Sequence, residues 1–266
     1  MATTIVSMPI AALPIAYTVR LYSKEVKYEF LKLFRNKGFT LSTIGFPIMF
    51  YMLFGVANHF AGPHGFSYAR YLLASYSCMG MIGASLFGIG VGLAMERAQG
   101  WLEVKQASPM PTMAYLLAKL VTCMAFAFVI VSALMLLGTT LAGVHLSAGE
   151  ALRLYAITMS GAIPFGSMGM LLGLLLPSNA APGIANLIYL PMSFCSGLWM
   201  PIEVLPHWMQ KMAPFLPAYH FGQLGLNVVG YAGSTAMTPH WEAMGGFTML
   251  FLGLTWLVFS RRASEA

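Results

Sequence analysis

Charge is scarce in this 266-residue sequence: charged residues make up 8% of it, and aspartate is absent. A soluble domain carries roughly 25% charged residues, because its surface must face water. Hydrophobic residues instead account for 58% of the chain. This composition excludes a soluble domain and predicts an all-α integral membrane protein.

Several chemical signatures are also missing. The three cysteines, Cys78, Cys123 and Cys195, are scattered through apolar stretches without a CxxC pair, which argues against a disulfide framework or a zinc site. The phosphate-binding motif GxxxxGK[ST] is absent, so the chain cannot hydrolyse ATP by that mechanism. The basic residues lie between apolar runs rather than forming one face, which argues against nucleic-acid binding. We therefore expect no cofactor, metal or nucleic acid on this chain.

Apolar runs long enough to cross a bilayer are plentiful. A spanning helix needs about 20 mostly apolar residues. Six segments meet this requirement and predict six transmembrane helices, which lie at residues 40–57, 71–95, 113–141, 152–176, 182–200 and 244–260.

The placement of positive charge orients these spans. Of the 14 lysines and arginines, eleven lie before the first span, between the second and third (Lys119 just inside the third), or after the sixth. The positive-inside rule therefore predicts that both termini and the loop after the second span are cytoplasmic. The eleven are Arg20, Lys24, Lys27, Lys32, Arg35, Lys37, Arg97, Lys105, Lys119, Arg261 and Arg262; the other three are Arg70, Arg153 and Lys211.

Three segments outside the spans have characters of their own. Residues 1–37 are predicted to be a cytoplasmic lead-in and an amphipathic helix in the membrane interface, followed by a transmembrane domain at 38–266. Residues 96–112 form a short cytoplasmic loop, with a helix expected at 97–106 that ends before Pro109 and Pro111. Residues 201–240 are apolar but interrupted by prolines, which favours short helices that re-enter the outer leaflet.

These segments together resemble the ABC-2 type exporter permease family. The resemblance is carried by KEVKYEFLKLFRNKGFTLSTIGFPIMFYMLFG, then MERAQGWLEVKQASPMP, then GLWMPIEVLPHWMQKMAPFLPAYHF, in this order and separated by spans. It implies a permease of the bacterial inner membrane that pairs with a second permease chain, most simply a second copy. It also implies two ATPase subunits that bind ATP and Mg and contact a coupling helix in the loop after the second span. That role would fall on Glu96, Arg97, Gly100, Trp101 and Glu103.

Candidate residues for a substrate route lie within the spans. Met and aromatic side chains suit an adaptable apolar path, although packing against lipid or core is their simpler role. Asn186 is an amide inside the fifth span, where hydrogen bonding between helices is the alternative. The predicted route comprises Tyr76, Met79, Phe87, Asn186, Tyr189 and Phe194.

The outer side carries the remaining candidates. Glu203 is predicted to contribute to an outer gate, with capping of a short helix as its simpler role. All six histidines fall on this side without metal-ligand spacing, so we assign them no metal; they are His59, His64, His145, His207, His220 and His240.

The predicted function is thus the membrane subunit of an ATP-driven exporter, moving a hydrophobic or amphipathic substrate such as a lipid, a drug, a natural product or a lipid-linked glycan. A secondary transporter without an ATPase is the main alternative. It usually places ionisable residues at mid-membrane, whereas all eight glutamates lie at or beyond span ends. A membrane enzyme and a purely structural subunit are further alternatives.

Overall fold

A computed structural model describes residues 15–57, 66–107, 112–231 and 236–265, and these are all-helical. Residues 1–14 of the segment predicted at 1–37, the histidines His59 and His64, and the prolines 109 and 111 lie outside the described residues. The α-helices are α1 (Ile15–Arg35), α2 (Lys37–Phe50), α3 (Tyr68–Ser85), α4 (Gly92–Ala98), α5 (Trp101–Ala107), α6 (Thr112–Thr140), α7 (Ala148–Ser160), α8 (Ala162–Leu175), α9 (Ala181–Cys195), α10 (His207–Met212), α11 (Pro217–Val228) and α12 (Thr238–Glu265).

Within the described residues, five helical stretches are long and apolar enough to cross a membrane. Helix α2 continues as a π-helix over Tyr51–Val56, and α3 continues through a second π-helix, Leu86–Val91, into α4. The five stretches are Lys37–Val56, Tyr68–Ala98, Met113–Thr140, Ala148–Leu175 and Thr238–Arg261, and they match five of the six predicted spans.

The remaining predicted span, at 182–200, corresponds to α9. This helix has 15 residues and so measures about 22 Å, less than the hydrocarbon thickness of about 30 Å. It ends early because Gly197 adopts a left-handed backbone conformation (φ 76°), which residues with a side chain rarely adopt. The helical part of this span is therefore shorter than predicted.

The residues that flank α9 nevertheless make contacts at both ends of the helix bundle. Just before it, the carbonyl oxygen of Leu176 accepts a hydrogen bond from Arg97 of α4 (2.7 Å). Just after it, the carbonyl oxygen of Gly197 accepts a hydrogen bond from Tyr71, near the start of α3. Because α3 and α4 belong to one continuous span, the two contacts lie at opposite ends of the bundle. We call the end that holds Lys32, Arg97, Lys105 and Lys119 the basic end.

Glycines bring α8 close to the second π-helix. A Cβ atom built on Gly169 would lie 2.8 Å from the carbonyl oxygen of Ser85, and one on Gly173 would lie 2.8 Å from that of Gly90. Neither approach leaves room for a side chain, so these helices pack backbone against backbone. The GxxxG spacing of Gly169 and Gly173 therefore marks a helix contact.

Of the two predicted segments between spans, the first differs in detail from its prediction. The predicted helix at 97–106 is interrupted, because Gly100 has a φ of 73° and forms a turn between α4 and α5. Residues 201–240 contain the short helices that were predicted, α10 and α11, and α11 packs against α3 and α12. Their depth in a membrane stays a prediction.

Candidate functional site

The basic end contains a partly buried cluster of two carboxylates and two ammonium groups, hereafter the ion cluster, made of Glu29, Lys32, Glu96 and Lys119. The Lys119 ammonium lies 2.7 Å from a Glu29 carboxylate oxygen and 3.0 Å from one of Glu96. Lys32 contacts the other oxygen of Glu29 at 2.6 Å and also pairs with Glu96. Only 1% of the Lys119 side chain and 3% of the Glu29 side chain are exposed. Two negative and two positive groups thus neutralise each other, with Lys119 and Glu29 out of water and 45% of the Lys32 side chain exposed.

Three segments of the chain supply this cluster. Glu29 and Lys32 are one turn apart on α1, Glu96 lies on α4, and Lys119 lies on α6. A buried charge without a partner is costly, because it has lost water without regaining an equivalent interaction. The cluster therefore fixes α1 at one point to two helices that are long and apolar enough to cross a membrane.

Neighbouring contacts extend the cluster to α5. Tyr115, one turn before Lys119, donates a hydrogen bond to Glu96. The Lys105 ammonium of α5 lies 4.3 Å from the centre of the Tyr115 ring and pairs with Glu25 of α1. The loop after the second span is thereby attached to α1 and α6 as well as to α4.

Neighbouring charges shift the pKa values of Glu29 and Lys32. Burial raises the pKa of its carboxyl group, but the ammonium groups of Lys119 and Lys32 outweigh burial, and the net pKa lies below the usual 4.5. The opposite balance holds for Lys32: burial lowers the pKa of its ammonium group, whereas Glu29 and Glu96 raise it above the usual 10.5. Both groups are therefore charged at neutral pH.

Arg97 makes a different connection. Its guanidinium group donates hydrogen bonds to the carbonyl oxygens of Leu174 and Leu176, where α8 ends. The last carbonyls of a helix have no partner within the helix and carry partial negative charge, so a cation there satisfies both needs. Arg97 thus joins the end of α4 to the end of α8.

An apolar cavity of about 500 Å³ lies further along the bundle, between α2, α3 and α9. No charged side chain is among its lining residues. The Tyr189 hydroxyl in its wall donates to the carbonyl oxygen of Met79 (3.2 Å), while the Asn186 side chain makes no hydrogen bond to the described residues. The lining residues are Ser42, Thr43, Phe46, Pro47, Phe50, Met79, Gly80, Gly83, Phe87, Pro182, Asn186, Tyr189, Leu190 and Trp199.

Comparison with known proteins identifies the class of molecule that carries these features. The family model for ABC-2 type transporters matches residues 23–228. This chain belongs to the ABC-2 type transporter family. A Bacillus subtilis (strain 168) protein named as a transport permease, YvfS, is 30% identical over 241 residues, which cover 90% of this chain and 96% of the relative. The chain is therefore a transport subunit rather than an enzyme, and its family implies association with an ABC ATPase.

The residues predicted to couple this ABC-2 permease to its ATPase fall into two groups. Glu96 and Arg97 face the chain itself, in the ion cluster and at the end of α8. Trp101 lies after the Gly100 turn with 55% of its surface exposed, so it is available to a partner. The side chain of Glu103 lies outside the described residues.

Four of the six predicted route residues meet in the apolar cavity of the ABC-2 permease: Met79, Phe87, Asn186 and Tyr189. The other two do not line it. Tyr76 is fully buried in the core of α3, and Phe194 is half-buried on α9. The sequence prediction thus named residues on two of the spans around this cavity, those of α3 and α9, but none on α2.

Residues 201–240 of the ABC-2 permease hold Glu203 and two paired histidines. Glu203 lies in a single 3₁₀ turn, Ile202–Val204, and its carboxylate accepts a hydrogen bond from the Tyr231 hydroxyl (3.0 Å). The Nδ1 atoms of His220 and His240 lie 3.0 Å apart, linking α11 to α12. Among the described residues no group of three or more His, Cys, Asp or Glu could hold a metal ion.

Sequence reasoning missed Glu29, Lys32, Tyr115 and Lys119 as members of a site. It treated Lys119 only as a marker of orientation. A lysine inside an apolar run is itself a signal, because such a charge needs a buried partner. The spacing of Glu29 and Lys32, one helical turn apart, was a second signal.

Proposed function

We propose that this chain is the membrane-spanning subunit of an ATP-driven exporter that moves a hydrophobic or amphipathic substrate out of the cytoplasm or inner leaflet. The observation that carries the proposal is the connection, at the basic end, between an exposed turn at Trp101 and the ion cluster. An ATPase that moves this turn would move three membrane-associated helices with it.

The proposed topology has six crossings, with α9 and the residues that follow it as the fifth. Support comes from the contacts that place the two ends of α9 at opposite ends of the bundle. With six crossings both termini lie on one side, and the positive-inside rule makes the basic end cytoplasmic.

Coupling in this proposal begins at α5. Trp101 contacts the ATPase, and movement of α5 passes through Lys105 to Glu25 and Tyr115. From there the ion cluster carries it to α1 and α6. ATP binding shifts the permease between two states only if those states differ in their affinity for the ATP-bound ATPase. Two ATPase copies would serve two permease chains.

The apolar cavity is the proposed substrate route. Its lining offers no charged group, so a free ion or sugar would lose its hydration there without compensation. A hydrocarbon chain or a flat apolar molecule would lose nothing, and the Asn186 amide could accept or donate one hydrogen bond. This favours lipids, hydrophobic drugs, natural products and the lipid part of a lipid-linked glycan.

A second copy of the chain is the proposed partner across this cavity. Apolar side chains beside it are exposed on both flanking helices, such as Phe46 on α2 and Leu187 on α9. Closing the open side with the same face of another copy would create one enclosed path between two subunits.

The deciding experiment is gentle purification of the tagged protein from its native membrane, followed by identification of what accompanies it. We expect a stoichiometric ABC ATPase whose ATP hydrolysis is no longer coupled to export in Trp101→Ala. Trp208→Ala is the matched control. The exposed fraction of Trp208 (56%) is close to that of Trp101 (55%), but Trp208 lies in α10 and not in the loop after the second span. Export that survives in Trp101→Ala would refute the coupling role. A protein without an ATPase, and with transport driven by an ion gradient, would establish a secondary transporter instead.

A further inference from the structure

A second apolar cavity, of about 410 Å³, lies at the basic end between α12 and the ends of α4, α5, α6 and α8. It shares no lining residue with the cavity proposed as the substrate route. The lining residues are Leu93, Leu102, Lys105, Tyr115, Leu116, Met170, Leu174, Leu252, Thr255, Trp256 and Phe259.

The hydroxyl groups in this lining already have partners. The Thr255 hydroxyl donates to the carbonyl oxygen of Phe251 (2.7 Å), and the Tyr115 hydroxyl donates to Glu96. The interior therefore offers aliphatic and aromatic surface, which suits a hydrocarbon ligand. The one charged side chain is Lys105, which comes from α5 and marks the basic end of the cavity.

The cavity opens on the surface of the last span. Trp256 and Phe259 line it while 67% and 51% of their surface stays exposed. Along α12 the lining extends from Leu252 to Phe259, about 10 Å at 1.5 Å per residue. A ligand can thus enter sideways from the bilayer and lie parallel to the helix.

We propose that this cavity binds one acyl chain of an anionic phospholipid from the leaflet at the basic end, with the lipid phosphate beside Lys105. The chain replaces empty space against Leu116, Met170 and Leu174, and the phosphate meets a positive charge where the headgroups lie. Lys105 keeps its ion pair with Glu25 and its contact with the Tyr115 ring, so the phosphate shares an ammonium group that already has partners. Only the assignment of this leaflet to the cytoplasmic side rests on the topology proposed above.

Such a lipid would touch the coupling region directly. Lys105 and Tyr115 belong both to this cavity and to the contacts that connect α5 with the ion cluster. Occupancy would therefore hold α5 against α6 and α12 in one position. Anionic lipid is thus expected to bind one state of the permease more tightly than the other.

The test places the full-length protein in nanodiscs that contain a trace of phosphatidylglycerol with a photoreactive diazirine in its acyl chain. In a parallel sample, phosphatidylcholine carries the same chain. Mass spectrometry then locates the labelled residues. We expect phosphatidylglycerol to label Leu116, Met170 or Leu174 several-fold more than phosphatidylcholine does, and Lys105→Gln to abolish that difference.

Two variants on α6 form a matched pair. Leu116→Trp fills the cavity and should reduce labelling of Met170 and Leu174 several-fold. Leu117→Trp, at an exposed neighbour outside the lining, should not. Labelling restricted to exposed positions such as Met249, or equal labelling by both lipids, would overturn the proposal. The unmodified protein and Lys105→Gln decide the matter even if Leu116→Trp does not fold.

Discussion

The Lys119 ammonium of α6 lies 2.7 Å from the Glu29 carboxylate of α1, and water reaches almost none of either side chain. The two residues are 90 positions apart in the chain. Helix α1 precedes the first span in the chain, so this pair fixes α1 to the start of a helix that is long and apolar enough to cross a membrane. Its removal should affect both stability and coupling.

Replacing Lys119 by Met should destabilise the protein by about 3–5 kcal/mol, because Glu29 and Glu96 would then share Lys32 as their partner. Thermal unfolding of the detergent-purified protein measures this loss. The double variant Glu29→Gln/Lys119→Met restores charge balance and leaves the Lys32–Glu96 pair. It should therefore be more stable than Lys119→Met alone, and additive losses would show that the two side chains do not interact.

The free energy of unfolding should depend on pH through the titration of the Glu29 carboxyl group. The folded protein holds the pKa of this carboxyl group below its usual 4.5, so the unfolded chain takes up a proton at a higher pH than the folded chain does. The contribution of Glu29 is therefore complete above pH 4.5 and is lost as the pH falls through the lower, folded pKa.

The measurement for this prediction is the difference in melting temperature between the unmodified protein and Glu29→Gln from pH 7 to pH 3. We expect a constant difference down to about pH 5 and a shrinking one below it. A difference that grows on acidification would mean that the folded pKa is raised, contrary to the geometry of the cluster.

The sequence predicted the helices better than their contacts. Apolar runs and basic flanks located α1 and five spans to within a few residues, because each depends on local composition. Helix α9 proved shorter than its apolar run, since Gly197 turns the chain before the run ends. Hydropathy does not register backbone conformation at a single glycine.

The sequence predicted some residues of the candidate site but not the contacts between them. Glu96 was selected for its place in a loop, yet its partners come from residues 32 and 119, which no local pattern connects to it. Conversely, Met79 and Tyr189 were selected as apolar span residues and do line one cavity. The resemblance identified the family correctly, whereas pairing between distant segments needed the fold.

Close helix packing gives a third prediction. A methyl group at Gly169 would lie 2.8 Å from the carbonyl oxygen of Ser85, so Gly169→Ala must push α8 away from the second π-helix. We expect a loss of about 1–3 kcal/mol in thermal unfolding. Gly253→Ala in α12 is the control, because a methyl group there meets nothing within 4 Å. An equal effect in both variants would point to general intolerance of alanine rather than to this contact.

The fourth prediction concerns the cavity between α2, α3 and α9. Asn186→Trp places an indole where the cavity has room, so export should fall at least several-fold while the complex with the ATPase still assembles and hydrolyses ATP. The substitution narrows the proposed substrate route. It leaves the basic end unchanged, where Trp101 and the ion cluster lie. Leu152→Trp is the control: Leu152 is exposed on α7 and absent from the lining, and export should persist. Unchanged export in Asn186→Trp would separate this cavity from the substrate path, and loss of the complex in that variant alone would instead assign α9 to the contact between subunits.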